Sequence, residues 1–369
     1  MAGTERTALY QEHLALGGKM VDFGGWELPQ QYGSIRDEHV AVRRVAGLFD
    51  LSHMGRVDVG GDGAEAELQR LFTNDLARIR PGRAQYTLMC NEEGGILDDL
   101  VVYRLGVDDF RIVVNASNRL KDLAWMTAHS DLHFQDRTKE LSLLALQGPA
   151  AEALLPARRI DLTAVPYFGF AEGEIAGAQV LISRTGYTGE DGFELFVDSD
   201  RAPEVWRTVL GSGSAKGVLP CGLGARDACR LEAGLRLYGN DMDEQTNPYQ
   251  AGLGWTVKLA KGEFIGSAAL AEAKARGPDR LITGIRSLDR NIPRHGTPVL
   301  TAGRSAGEVT SGTYSFWLNQ GIGMASLDPV IAKPGQAIEL EVRGRTSPAE
   351  TIALPIYRGS VRSPAPAKS

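Results

Sequence analysis

Two pairs of short apolar runs, each joined by a glycine-rich turn, constrain this chain more than anything else in it. The first pair is QYTLMC and ILDDLVVYR around NEEGG; the second is QVLISR and FELFV around TGYTGEDG. Runs of this length, rich in β-branched and aromatic residues and bounded by Gly and Asn, form hairpins, and hairpins build antiparallel sheets. EAELQRLF and NRLKDLAWMTAH instead repeat apolar residues at helical spacing, while FRIVVN reads as a further strand. Strands and helices mixed in this way predict an α+β fold with antiparallel sheets.

The pattern changes after FIGSAALAEAKA, where RGPD at 276–279 marks a domain boundary. Beyond it, LITGIRSL, GIGMASL, AIELEVRG and TIALPIYRG are short, β-prone and separated by Gly, Pro and Asn, which predicts a small all-β barrel or sandwich. The closing SPAPAKS is too small and proline-rich to pack, and no internal repeat is present. At 369 residues the chain is long enough for two or three domains.

A net charge of −6 supplies no overall positive field for nucleic acid or anionic lipid, so neither is an expected partner. Cys90, Cys221 and Cys229 are odd in number and lack C-x-x-C spacing, which points away from disulfides and zinc and toward a reducing cytoplasm. The N-terminal MAGTERTALYQEH has neither the basic stretch nor the apolar run of a secretory signal, and no run approaches the ~20 apolar residues that span a bilayer. His129 and His133 stand four apart without a third ligand, so no metal is expected.

The loop RTGYTGEDGFE at 184–194 admits three uses: a plain hairpin turn, a phosphate cradle, or a mouth for a polar heterocycle. A cradle needs a following helix to supply its N–H donors, whereas FELFV is a strand, and Glu190 and Asp191 would repel phosphate. Glycines supplying positive φ explain a plain turn equally well. Strand alternation, however, places Glu194 on a face with Phe196, opposite Phe193, Leu195 and Val197, and an acid beside aromatics can receive a flat donor edge. Tyr187 at the loop tip could stack on the same ring.

In ILDDLVVYR, adjacent acids point to opposite faces: Asp99 with Leu97, Val101 and Tyr103, and Asp98 with Ile96, Leu100 and Val102. One of them is expected to be kept desolvated for chemistry, but the pattern does not choose. GLGARDACRLEAGLRLYGND reads as a helix ending near Gly234 or Gly239, with Arg226 and Arg230 on one face and Asp227 close to both; a salt-bridged surface and an anion site fit that spacing equally.

These motifs together resemble the aminomethyltransferase (T-protein) family of the glycine cleavage system, from near Thr7 to about Arg362. The resemblance rests on HLALGGKMVDFGGWELPQQY, GLFDLSHMG, NEEGGILDDLVVYR, LLALQGP, RTGYTGEDGFE, ARDACRLEAGLRLYGNDMDE, VTSG and LPIYRGSV. It implies three domains in a clover-like arrangement around a tetrahydrofolate site. Residues 1–276 would hold two interleaved subdomains, 1–50 with 140–240 and 51–139 with 241–276; a β-barrel at 280–362 and a disordered tail at 363–369 would follow. The implied reaction passes the methylene carbon of an aminomethyl group, carried on the lipoyl arm of the H-protein, to tetrahydrofolate. Its products are 5,10-methylenetetrahydrofolate, ammonia and the dihydrolipoyl carrier, with no metal.

Carried over residue by residue, the resemblance makes Asp99 the catalytic acid and Glu194 the carboxylate for the pterin edge. Tyr187, Tyr86 and Tyr103 would line the folate pocket, Arg226 and Arg358 would meet its polar groups and carboxylated tail, and Met54 and Asn115 would form pocket wall. Two other folate-binding classes share this architecture. A folate-dependent demethylase would differ in its donor, and an accessory protein of iron–sulfur cluster assembly would carry a cysteine within K-G-C-Y-x-G-Q. Here that stretch reads RTGYTGE, with Gly186 for the cysteine and Glu190 for the glutamine.

Overall fold

The computed structural model describes residues 3–342 and 344–361. The tail expected at 363–369 lies outside the described residues.

The second hairpin sits inside a six-stranded sheet ordered Phe170–Ile175, Ala178–Ser183, Gly192–Asp198, Leu141–Gln147, Gly47–Asp50 and Leu219–Pro220. Alternation sends Phe193, Leu195 and Val197 to one face, where they pack with Trp206 of the helix Ala202–Ser214. Phe196 turns the other way and joins Leu143 and Ala145. The strand Leu141–Gln147 is buried at every position because both faces are covered.

The first hairpin belongs to a five-stranded sheet ordered Arg83–Cys90, Ile96–Arg104, Asp109–Val114, Gly55–Gly60 and Phe134–Asp136. The helices Ala64–Leu71 and Arg119–Ala128 cover one face, burying Leu68, Leu71 and Met126 against Leu100, Val102 and Ile112. The opposite face brings Ala84, Tyr103 and Val113 against Phe49, Leu143 and Phe196 of the six-stranded sheet. The two sheets therefore share a core.

Strict alternation fails at one point. Met89 is opposite Asp98 and Cys90 is opposite Ile96, so Leu97 is the extra residue of a β-bulge. Leu97 consequently packs with Leu100 and Val102, not on the face of Asp99, Val101 and Tyr103 as alternation predicted. Two short parallel pairs also depart from the antiparallel expectation: Glu5–Arg6 beside Trp26–Gln31, and Leu219–Pro220 beside Gly47–Asp50.

The helix Ser267–Arg276 stops at Gly277, whose φ of 79° suits a residue without Cβ, and the next strand begins at Leu281. Six strands then close a barrel in the order Leu281–Ser287, Gln320–Leu327, Arg304–Ser315, Pro298–Thr301, Ala337–Val342 and Arg345–Ile352. Of TIALPIYRG only Thr351 and Ile352 belong to a strand, since Pro355 has no N–H to extend the ladder. The chain instead runs back across the first part of the molecule: Tyr357 N donates to Glu232 O at 2.8 Å and Ser360 N to Glu190 Oε2 at 2.8 Å.

Candidate functional site

A cavity of about 1150 Å³ opens where the two sheets, the 184–194 loop and the segment after the barrel meet. All of the residues assigned to a site from sequence line it: Met54, Tyr86, Asp99, Tyr103, Asn115, Tyr187, Glu194, Arg226 and Arg358. Its volume exceeds the ~300–1,000 Å³ of ordinary small-molecule sites, leaving room for a second reactant.

Of the two adjacent acids, only Asp99 reaches the cavity; Asp98 is fully buried behind it. The choice that the pattern left open is made by the neighbouring strands. Tyr86, from Arg83–Cys90, donates its O–H to Asp99 Oδ2 at 3.0 Å, and Asn115, just past Asp109–Val114, donates Nδ2–H to Oδ1 at 2.8 Å. Burial, then the charge of Asp98, pushes the Asp99 carboxyl up to about 7, although both donors pull the other way. Both protonation states are therefore accessible near neutral pH, the condition for a group that holds or passes a proton.

Glu194 faces Asp99's part of the cavity from the other sheet. Tyr103 O–H donates to its Oε2 at 3.2 Å and Thr185 O–H to the same oxygen. A carboxylate offers about four acceptor sites, so capacity remains for a ligand's donor edge. Burial and the nearby Glu194 charge push the Tyr103 phenol well up, keeping it a neutral donor. Its ring stands edge-on to Phe196 at 5.1 Å, which fixes the hydroxyl.

Arg226 leaves the helix Leu223–Glu232 toward the cavity, and its guanidinium lies 4.6 Å over the Tyr187 ring. Arg230 is not its companion. It pairs with Asp227 at 2.7 Å and Asp241 at 2.8 Å and donates to Ser311 of the barrel; Asp227 is thus bonded to Arg230 while its charge also acts on Arg226, as its closeness to both arginines predicted. Burial lowers the Arg226 pKa against the raising effects of Tyr187 and Glu194, as suits a cation kept desolvated for an anionic or polar ligand.

The glycine loop uses its glycines differently from the sequence expectation. Only Gly189 has positive φ, at 76°; a Cβ at Gly192 would stand 2.4 Å from Leu146 O, so that glycine serves close approach between strands. Glu190 and Asp191 are not free negative charges. Arg43 pairs with Glu190 at 2.9 Å and Arg184 donates to Asp191 at 2.8 Å, so repulsion of phosphate is corrected to internal pairing. The missing helix after the loop still removes the donors that a phosphate cradle needs.

Trp255, Arg236 and His53 also line the cavity and were not found from sequence. Trp255, in the short 3-10 helix Gly254–Thr256, is 58% exposed and stacks on Tyr86 with centroids 5.8 Å apart; a helix of three residues carries no periodicity that would mark it in the sequence. Burial, reinforced by Arg226, lowers the His53 pKa to about 3, which keeps its imidazole neutral.

Fold and site together define an α+β protein with an appended barrel and a shared cavity, whose carboxyls, aromatic walls and Arg226 guanidinium over Tyr187 suit a polar heterocycle with an anionic tail. Residues 9–261 match the GCVT N-terminal domain, and residues 280–358 match the glycine cleavage T-protein C-terminal barrel domain. The chain is 48% identical over 359 residues to an aminomethyltransferase of Geobacillus kaustophilus (strain HTA426), covering 96% of this chain and 99% of that one. It is 45% identical over 359 residues to an aminomethyltransferase of Bacillus subtilis (strain 168), with 96% and 99% coverage. The crystal structure of glycine cleavage system aminomethyltransferase T from Bartonella henselae superposes with a TM-score of 0.91 at 32% identity, covering 98% of this chain and all of that one. The chain belongs to the glycine cleavage T-protein family.

Proposed function

We propose that this protein is a tetrahydrofolate-dependent aminomethyltransferase of the glycine cleavage system, with Asp99 as its catalytic acid. The observation that carries the reading is the apposition, across one cavity, of a carboxyl poised near neutrality and a second carboxylate held by Thr185 and Tyr103.

Glu194 accepts the amino group and ring N–H of the pterin as two parallel bonds. Tyr187 and Tyr86 pack the flat rings, and Tyr103 orients Glu194. Arg226 and Arg358 meet polar groups and the carboxylated tail, with Met54 and Asn115 as wall. The donor is an aminomethyl thioether on the lipoyl arm of the H-protein. Carbon leaves sulfur and nitrogen and forms bonds to N5 and N10 of tetrahydrofolate. Those two nitrogens release two protons, of which one completes ammonia and the other the dihydrolipoyl thiol. Asp99, beside the reacting amines, stabilises the cationic iminium and takes and returns a proton at its carboxylate. An oriented carboxylate facing a developing cation in a water-poor cavity lowers the barrier by ~3 kcal/mol.

The same proposal divides the chain into 1–50 with 140–240, 51–139 with 241–276, and a barrel from 280. It places the protein in the cytoplasm, a setting compatible with buried free thiols at Cys90, Cys221 and Cys229. Among the described residues no helix is long and apolar enough to cross a membrane. The test is reconstitution with aminomethylated H-protein and tetrahydrofolate, following 5,10-methylenetetrahydrofolate and ammonia. Turnover with a small methyl donor but not with the carrier would replace the reading with that of a demethylase.

A further inference from the structure

Behind Asp99 lies a buried acid for which the reaction above has no use. Asp122, in the helix Arg119–Ala128, is fully buried, and neither of its oxygens receives a hydrogen bond from a donor among the described residues. An ionised carboxylate so placed would carry a desolvation penalty of several kcal/mol. Its polar partner is another carboxyl, that of Asp98, also fully buried. Two facing carboxyls without a donor between them share one proton.

The neighbours decide which acid carries it. Asp98 accepts from Asn115 N at 3.0 Å, Asn115 Nδ2 at 2.8 Å and Asn118 Nδ2 at 2.7 Å. Three N–H donors suit an anion, whereas Asp122 has none, so Asp98 is the carboxylate and Asp122 the acid that donates to it. Burial, then Asp98, accordingly pushes Asp122 up to about 10. The Asn115 amide nitrogen carries two protons and spends them on two acids, Asp98 Oδ1 and Asp99 Oδ1, each at 2.8 Å. A flipped amide would set its oxygen against both.

We propose that Asp122, Asp98 and Asn115 form a positioning chain for Asp99: neutral Asp122 lets Asp98 stay charged beside the catalytic acid, and Asp98 aims the Asn115 N–H at Asp99 Oδ1. The inference rests on the reading of Asp99 given above and deepens it. The Asp98 charge keeps Asp99 from behaving as an ordinary carboxylate. Tyr86, on the neighbouring strand Arg83–Cys90, and Tyr187, in the glycine loop, also face Asp99. On the far side, Lys121 opposes the rise at Asp122, and Tyr238 faces Asp98. Lys121 Nζ itself is held by Leu97 O at 2.8 Å and by Tyr238 and Glu244, both at 3.0 Å.

The test compares pH profiles of kcat in the full-length protein with H-protein and tetrahydrofolate. Asp98→Asn removes the charge, so the acid limb moves to lower pH. The plateau kcat falls about tenfold, the scale of one hydrogen bond to a charged group, while KM for tetrahydrofolate stays within threefold. Asp122→Asn replaces one neutral donor by another, so limb and kcat stay within twofold of the parent. A parent-like limb in folded Asp98→Asn, or an Asp122→Asn limb displaced like that of Asp98→Asn, overturns the proposal. Should Asp98→Asn not fold, carbon-13 NMR titration of Asp99 in Asp122→Asn decides: an unchanged midpoint upholds a neutral Asp122, and a lowered one rejects it. Asp99→Asn, assayed alongside, separates the two levels, because full turnover there defeats the reading of Asp99 itself.

Discussion

Two buried acidic clusters, around Asp50 at the end of its strand and around Asp99 within its strand, are built on the same residue type and behave in opposite ways. The Asp50 carboxylate accepts from Thr7 Oγ1 at 2.7 Å and Ser52 N at 2.8 Å and pairs with His13 at 3.0 Å; His13 in turn meets Tyr32 at 2.8 Å. Burial pushes the acid up, but His13, Ser52 and Thr7 more than offset it and lower the carboxyl to about 2. Around Asp99 three carboxyls crowd together with amides and a phenol as donors and, among the described residues, no ion pair to any of the three, so Asp99 is pushed up to about 7 and Asp122 to about 10. Burial is common to both. What differs is whether the charged form is satisfied, and under the function proposed above that separates a structural acid from one poised for chemistry.

The largest effect that could break this contrast belongs to Asp50→Ala. Stripping a buried, fully bonded acid from its partners should lower unfolding free energy by ~3–5 kcal/mol in urea titrations, with kcat of the folded protein unchanged. A loss of kcat without a loss of stability would erase the distinction. Asp99→Asn should do the reverse: kcat falls about 10²–10³-fold, or ~3–4 kcal/mol of barrier, while the urea midpoint holds or rises.

Acid sharpens the comparison further. The Asp50 contribution to stability is fully present above the ordinary carboxyl range near pH 4 and is lost as pH falls through about 2. Asp99 is raised, so the folded state binds its proton more tightly than the unfolded chain. Its strain is absent below about pH 4 and complete above about 7. Moving from pH 7 to 5 should therefore lower kcat by up to about tenfold per pH unit while the melting temperature does not fall on account of this group. Smallest is Tyr86→Phe. Losing the donor to Asp99 raises its pKa further, so the acid limb moves to higher pH, and the plateau kcat drops by a few-fold, about 1 kcal/mol.

Much of the site was legible because strand sterics are local. Glu194 and Phe196 on one face, and Phe193, Leu195 and Val197 on the other, follow directly from alternation, and the cavity is built on that face. The hairpins, the helix ending at Arg276 and the β-rich C-terminal part were readable for the same reason. The bulge at Leu97 was not, since it depends on the register between two strands. Nor was the pairing of Glu190 with Arg43, 147 residues away, which turned two apparent repellers of anions into internal ion pairs.

By itself the sequence determined most of the secondary elements, the facing of most side chains and, through its resemblance to a family, nine of the residues around the cavity. These depend on backbone sterics and on residue identity. Only the tertiary structure shows that Asp99 opens onto the cavity while Asp98 lies buried behind it, and which donors surround each acid. Those properties belong to neighbours in space: Asn115 stands 17 residues from Asp98 in the chain yet 2.8 Å from it across two strands. A carboxyl titrates according to the donors and charges around it, and no stretch of chain carries those within itself.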